Sequence, residues 1–94
     1  MSVSYAPALR NGLAVLMLLA VRKQPMSAAR IMAELDLPRS TTYHLLSELQ
    51  LVGLVDHLQK KRQYVLGPSA ELLGDAYRQN NITTDDQTDR QTPD

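Results

Sequence analysis

The stretch LAVLMLLAV, residues 13–21, constrains the fold of this 94-residue chain more than any other. Nine apolar residues in a row are too few to cross a bilayer, which needs about 20. Arg10 precedes the run as in a secretory leader, but Arg22 and Lys23 follow it with no small-residue cleavage site, so no signal peptide is expected. A helix buried on more than one side fits better. Pro7 suits its first turn, where the missing N–H has no partner to lose. Gln24-Pro25 closes it, which predicts a helix over residues 7–22. At about 100° per residue, Leu9, Leu13, Leu16, Met17 and Ala20 share one face. Ala14, Leu18 and Val21 lie opposite, and Val15 and Leu19 fall between. A small domain buries one stripe, so a helix apolar all round calls for a second burial partner. A second copy of the chain is the expected one.

The length supports one domain with a modest core. Phe and Trp are absent and Tyr is the only aromatic, so an aliphatic core built mainly from Leu, Val, Ile, Met and Ala is expected. Cys is absent too, which removes disulfides, thiolate metal sites and a Cys nucleophile, and agrees with a reducing cytoplasm. The zero net charge hides an asymmetry. Residues 1–70 carry eight Lys/Arg and four Asp/Glu, whereas residues 71–94 carry two and six. A basic working domain followed by an acidic tail is the expected arrangement.

Past the first helix, Ser27 can cap a second over residues 28–35, anchored by Ile31, Met32 and Leu35. Asp36-Leu37-Pro38 breaks it, and a third helix follows over residues 39–52. Gly53 then occupies the place of a left-handed cap. Leu54, Asp56 and Leu58 alternate with Val55 and His57, and after a polar turn Tyr64 and Leu66 alternate with Gln63 and Val65, a β-hairpin pattern. Gly67-Pro68 opens a fourth helix over residues 69–79 with Leu72, Leu73, Ala76 and Tyr77 as its apolar set. Residues 80–94 are too polar to bury themselves and are expected to form a disordered acidic tail. The chain thus divides into a domain over residues 1–79 and a tail over 80–94. The fold expected is mainly α with a small β-hairpin: a winged helix-turn-helix with a three-helix core, a two-stranded wing and a C-terminal linker helix.

The third helix carries the most chemistry. On a helical wheel Thr42, Leu45, Leu46, Leu49 and Val52 form a core face. Ser40, Tyr43, His44 and Ser47 lie opposite, with Arg39 at the margin. Hydroxyls at a helix start are often only caps. On the second helix of a helix-turn-helix they also lie where base edges and phosphates are read. Ser27, Ser40 and Thr41 can each add a hydroxyl donor there, and Thr42 is assigned to packing. Lys60, Lys61 and Arg62 sit at the hairpin tip, where a wing meets phosphates or the minor groove. Arg30 is a weaker phosphate candidate, and His57 reads as a half-exposed wing residue.

Three segments carry a family resemblance: ALRNGLAVLMLLA, SAARIMAELDLPRSTTYHLLSELQLVGLV and RQYVLGPSAELLG. They resemble the N-terminal DNA-binding domain of IclR-type bacterial transcription regulators over residues 9–77. The LP-basic-ST opening of the third helix and the YxLG end of the hairpin are the specific parts. General winged-helix features fit MarR-like and ArsR-like repressors nearly as well. The IclR pattern usually has Arg where this chain has His44. Members usually carry a large C-terminal effector-binding domain that these 94 residues lack, so no small-molecule effector is expected within them.

Enzyme chemistry is poorly supplied. His44 and His57 are the two histidines, on different elements, with no acid at metal-ligand spacing. No nucleophile elbow can be read, and Gly12, Gly53, Gly67 and Gly74 are scattered rather than gathered into a phosphate loop. No enzyme activity, metal or cofactor is expected. The expected function is sequence-specific binding of double-stranded DNA by a cytoplasmic, nucleoid-associated transcription regulator. It would act as a homodimer joined through Leu9, Ala14, Leu18, Val21, Leu73 and Tyr77. The alternative is a winged helix used for protein association through its first and fourth helices.

Overall fold

The computed structural model describes residues 6–82, so the expected tail beyond residue 82 lies outside the described residues. The elements are α1 (Pro7–Arg22), α2 (Ala28–Leu35), α3 (Arg39–Leu51), β1 (Val55–Leu58), β2 (Gln63–Leu66) and α4 (Pro68–Ile82). The two strands pair antiparallel. This is the winged helix that the sequence predicts.

α1 places Pro7 in its first turn and ends at Lys23, whose backbone turns left-handed (φ 58°) and donates to the Leu19 carbonyl. Its core seam runs through Gly12, Val15 and Leu19, between the two faces that the wheel sets opposite each other. Leu16 and Leu18 pack against the core from its edges. Leu9, Leu13, Met17 and Val21 face solvent, because α2 and α3 cover one side of α1 only.

α2 begins as expected, with the Ser27 hydroxyl accepting from the Arg30 N–H at 3.1 Å. α3 begins otherwise. Its N-cap is Pro38, and no side chain caps it. The capping explanation for the hydroxyls of Ser40 and Thr41 therefore fails. Thr42 is fully buried and its hydroxyl donates to the Pro38 carbonyl at 2.9 Å, which satisfies a polar group in the core. Leu45 and Leu46 are buried beside it. Val52, assigned to the core face, is 59% exposed. It is the C-cap (φ −97°, ψ 7°), so helical periodicity no longer governs where it points.

In the wing, Val55 pairs with Leu66 and Leu58 with Gln63. The turn is held by Lys61 N–H to the Leu58 carbonyl and Arg62 N–H to the Gln59 carbonyl, both 3.2 Å. A contact the local pattern did not show anchors the hairpin. Tyr64 and Met26 exchange backbone hydrogen bonds of 2.7 and 3.0 Å, so the α1–α2 connection adds a rung to the sheet. Val15, Leu19, Met26, Ala28, Ile31, Leu46, Val55 and Tyr64 form one core cluster.

α4 is fixed to the end of α3 by a compact joint. Gly53 has φ 77°, a conformation glycine adopts freely. Its carbonyl accepts from the Ser69 N–H at 2.9 Å, and the Ser69 hydroxyl donates to the Val52 carbonyl at 2.6 Å. A Cβ on Gly67 would lie 2.4 Å from the Gly53 carbonyl oxygen, so the backbones meet there only because position 67 has no side chain. The helix runs to Ile82, three residues past its expected end. A nucleated helix propagates through polar residues, and the Asn81 amide donates back to the Tyr77 carbonyl at 2.8 Å.

Candidate nucleic-acid interface

The outer side of α3 presents Arg39, Ser40, Tyr43, His44 and Ser47 to solvent, with Thr41 half-buried. The Arg39 guanidinium lies 5.2 Å from the centre of the Tyr43 ring, a cation–π distance that gives both side chains a preferred pose. The neighbours Tyr43 and His44 diverge. His44 borders an apolar groove between α1 and α3 that includes Leu9, Leu13 and Leu49, whereas Tyr43 faces the wing.

Lys60 and Lys61 are exposed at the wing tip. Arg62 turns back toward the body. With Ser27, Ala28, Ala29, Tyr43, His57, Gln59 and Tyr64 it lines a cleft of about 500 Å³ between wing and helices. His57 and Tyr64 are stacked there, ring centres 4.4 Å apart and planes 12° from parallel. Burial, and then the nearby Tyr43, push the Tyr64 phenol above its ordinary range. The structure therefore brings together Ser27, Tyr43 and Arg62, three expected site residues, and adds His57 and Tyr64. Strand parity held the signal for both. His57 shares a face with Val55, and Tyr64 lies directly across from it.

Arg30 lies elsewhere. It and Arg22 both bind the Glu34 carboxylate, at 3.3 and 2.5 Å. The Arg22 hydrogen bond leads the effects that hold the Glu34 carboxyl below its ordinary range, joined by Arg30 and opposed by some desolvation. Of the residues expected at a dimer contact, Leu9, Val21, Leu73 and Tyr77 are exposed, Ala14 is half-buried and Leu18 packs against the core. Leu13, Met17 and Leu72 extend the exposed apolar set. Among the described residues no helix is long and apolar enough to cross a membrane.

Three helices with a polar face on the third and a basic two-stranded wing define a winged helix-turn-helix domain. The family model described as the IclR helix-turn-helix domain matches residues 8–58, and the chain belongs to that family. A crystal structure of an IclR transcriptional regulator from Alicyclobacillus acidocaldarius superimposes with a TM-score of 0.74 at 25% identity. The match covers 84% of this chain and 31% of that one, so the chain spans about a third of that regulator's length. No curated protein sequence matches the chain.

Proposed function

We propose that this chain binds double-stranded DNA in a sequence-specific manner, as a cytoplasmic, nucleoid-associated transcription regulator. The observation that carries the reading is the outer face of α3, where hydrogen-bonding side chains and one cation run without a carboxylate until Glu48, beside a basic wing tip. An α-helix fits the major groove, and its first turns reach base edges. In this reading Arg39, Ser40, Tyr43, His44 and Ser47 face the groove and Ser27 and Thr41 face phosphates. Lys60, Lys61 and Arg62 follow the adjacent backbone, while Arg30 contributes only by leaving Glu34. In this reading the working domain, expected over residues 1–79, is carried to Ile82 by α4, and an acidic stretch of sequence follows.

The exposed apolar residues of α1 and α4 support a homodimer. Leu9, Leu13, Met17, Val21, Leu72, Leu73 and Tyr77 are all more than half exposed. Covering them with a second copy would set two recognition helices about 34 Å apart, one helical turn of DNA. Selection of bound sequences from a random duplex pool tests the reading. An enriched pseudo-palindrome with that spacing is expected, and an unenriched pool with salt-insensitive binding would refute it. Ser40→Ala and Tyr43→Ala should change the preferred bases. Lys60→Ala with Lys61→Ala should weaken binding to all sequences and lower the salt slope by about one for each lost phosphate contact.

A further inference from the structure

The inner face of the wing carries a titratable group without a task so far. Val55 and His57 point the same way, because side chains alternate along a strand. Val55 is buried in the core. Two residues further out the hairpin overhangs the body, and His57 stands half-buried in the cleft, stacked on Tyr64. The groups around it are Tyr64 from β2, Tyr43 from α3, and Gln59 and Arg62 from the turn. α2 contributes Ser27, Ala28 and Ala29, none of them charged. The cleft therefore contains a guanidinium, an imidazole, three hydroxyls and an amide, and its lining has no carboxylate.

The turn supplies a second, independent observation. Arg62 has φ 54°, the left-handed region. Glycine occupies such a turn position without strain, and an arginine does not. That turn brings the Arg62 side chain to the lining of the same cleft.

We propose that the cleft seats one backbone phosphate of duplex DNA, held by Arg62 and by protonated His57, so that affinity for DNA of any sequence rises as pH falls. The inference rests on the DNA-binding reading above. A neutral imidazole offers one donor, whereas the protonated ring donates from both nitrogens and adds a charge. With Arg62 beside it and no carboxylate facing it, His57 gains its counter-charge from the phosphate. Binding is thus linked to proton uptake, and the gain is present at low pH and lost as pH rises.

The full chain is titrated with a labelled mixed-sequence duplex of about 30 base pairs, at several salt concentrations, near pH 6 and near pH 8. Wild type should bind about three- to tenfold more tightly near pH 6, with a log–log salt slope steeper by about one. Because His44 faces the groove in the DNA-binding reading, the comparison is made in a His44→Gln background: that variant should still bind more tightly near pH 6, and adding His57→Gln should make binding equal at both pH values. Arg62→Gly should melt at or above the wild-type temperature, because turn strain is relieved, yet bind about tenfold more weakly. The inference is overturned if the pH response survives in the His44→Gln and His57→Gln double variant, if it is already gone in His44→Gln alone, or if Arg62→Gly binds like wild type. A wild type that binds DNA without pH dependence overturns it by itself. A wild type with no salt-sensitive affinity for duplex at either pH overturns the DNA-binding reading as well.

Discussion

The outer arcs of α3 and α1 have the same architecture and opposite chemistry. Each is the uncovered side of a helix whose inner side packs into one core, aliphatic but for Tyr64. α3 exposes Arg39, Ser40, Tyr43, His44 and Ser47. α1 exposes Leu9, Leu13, Met17 and Val21, with Leu9 63% and Val21 69% accessible. Fully burying one large apolar side chain contributes about 1.5–3 kcal/mol, so the α1 arc holds several kcal/mol that the lone chain leaves unrealised. The α3 arc gains nothing from a dry contact and much from an ordered polar ligand. Exposure marks both as surfaces; the chemistry of the side chains tells what kind of partner each suits, a dry one for α1 and a wet, charged one for α3. The ion-paired side of α2 is a third kind of surface. There Glu34 satisfies both Arg22 and Arg30, and the charges need no ligand.

The comparison can be broken most forcefully from the apolar side. If α1 and α4 join two copies as proposed, Leu13→Asp combined with Leu73→Asp should sediment as a monomer at micromolar concentration where the wild type sediments as a dimer. Its affinity for a two-half-site duplex should fall by about a thousandfold, because the second half-site no longer benefits from tethering. Circular dichroism should be unchanged, since both side chains are exposed. A wild type already monomeric at that concentration would remove the distinction between the two arcs. A smaller effect is expected at the joint that ties α4 to α3. Gly67→Ala forces a methyl group against the Gly53 carbonyl and should lower stability by about 2–3 kcal/mol in urea unfolding. An unchanged midpoint would show that the joint yields. The smallest effect belongs to the self-satisfied surface. The Glu34 carboxyl is held below its ordinary value of 4.5 in the folded chain. Its contribution is therefore complete above that value and is lost as pH falls through the lower folded one. Glu34→Gln should flatten the acid side of the stability–pH curve slightly, because the group is solvent-screened. A variant retaining the full acid limb would show that the pair adds nothing.

Helix positions were legible in the sequence because Pro7, Pro25, Ser27, Pro38, Gly53 and Gly67 punctuate periodic apolar segments. What escaped depends on distance along the chain or on the end of a period. The Met26–Tyr64 rung joins residues with no local pattern in common. Val52 sits one residue past the last helical turn, where the wheel loses meaning. On α1, the wheel grouped the apolar residues correctly but could not say that the core would choose the line between the two groups, because that choice is made by α2 and α3. For the site, the outer face of α3 was readable from periodicity. The half-buried place of His57 was readable from its strand parity with Val55, but its cleft was not, because Ser27 and Tyr43 reach it from other elements.

The joint at Gly53, Gly67 and Ser69 makes α4 an arm hinged at the last turn of α3. Its 15 residues give an arm of about 22 Å. A tilt of about 10° at the hinge displaces the far end by about 4 Å. Small rotations at the joint therefore appear as large offsets at the far end of α4.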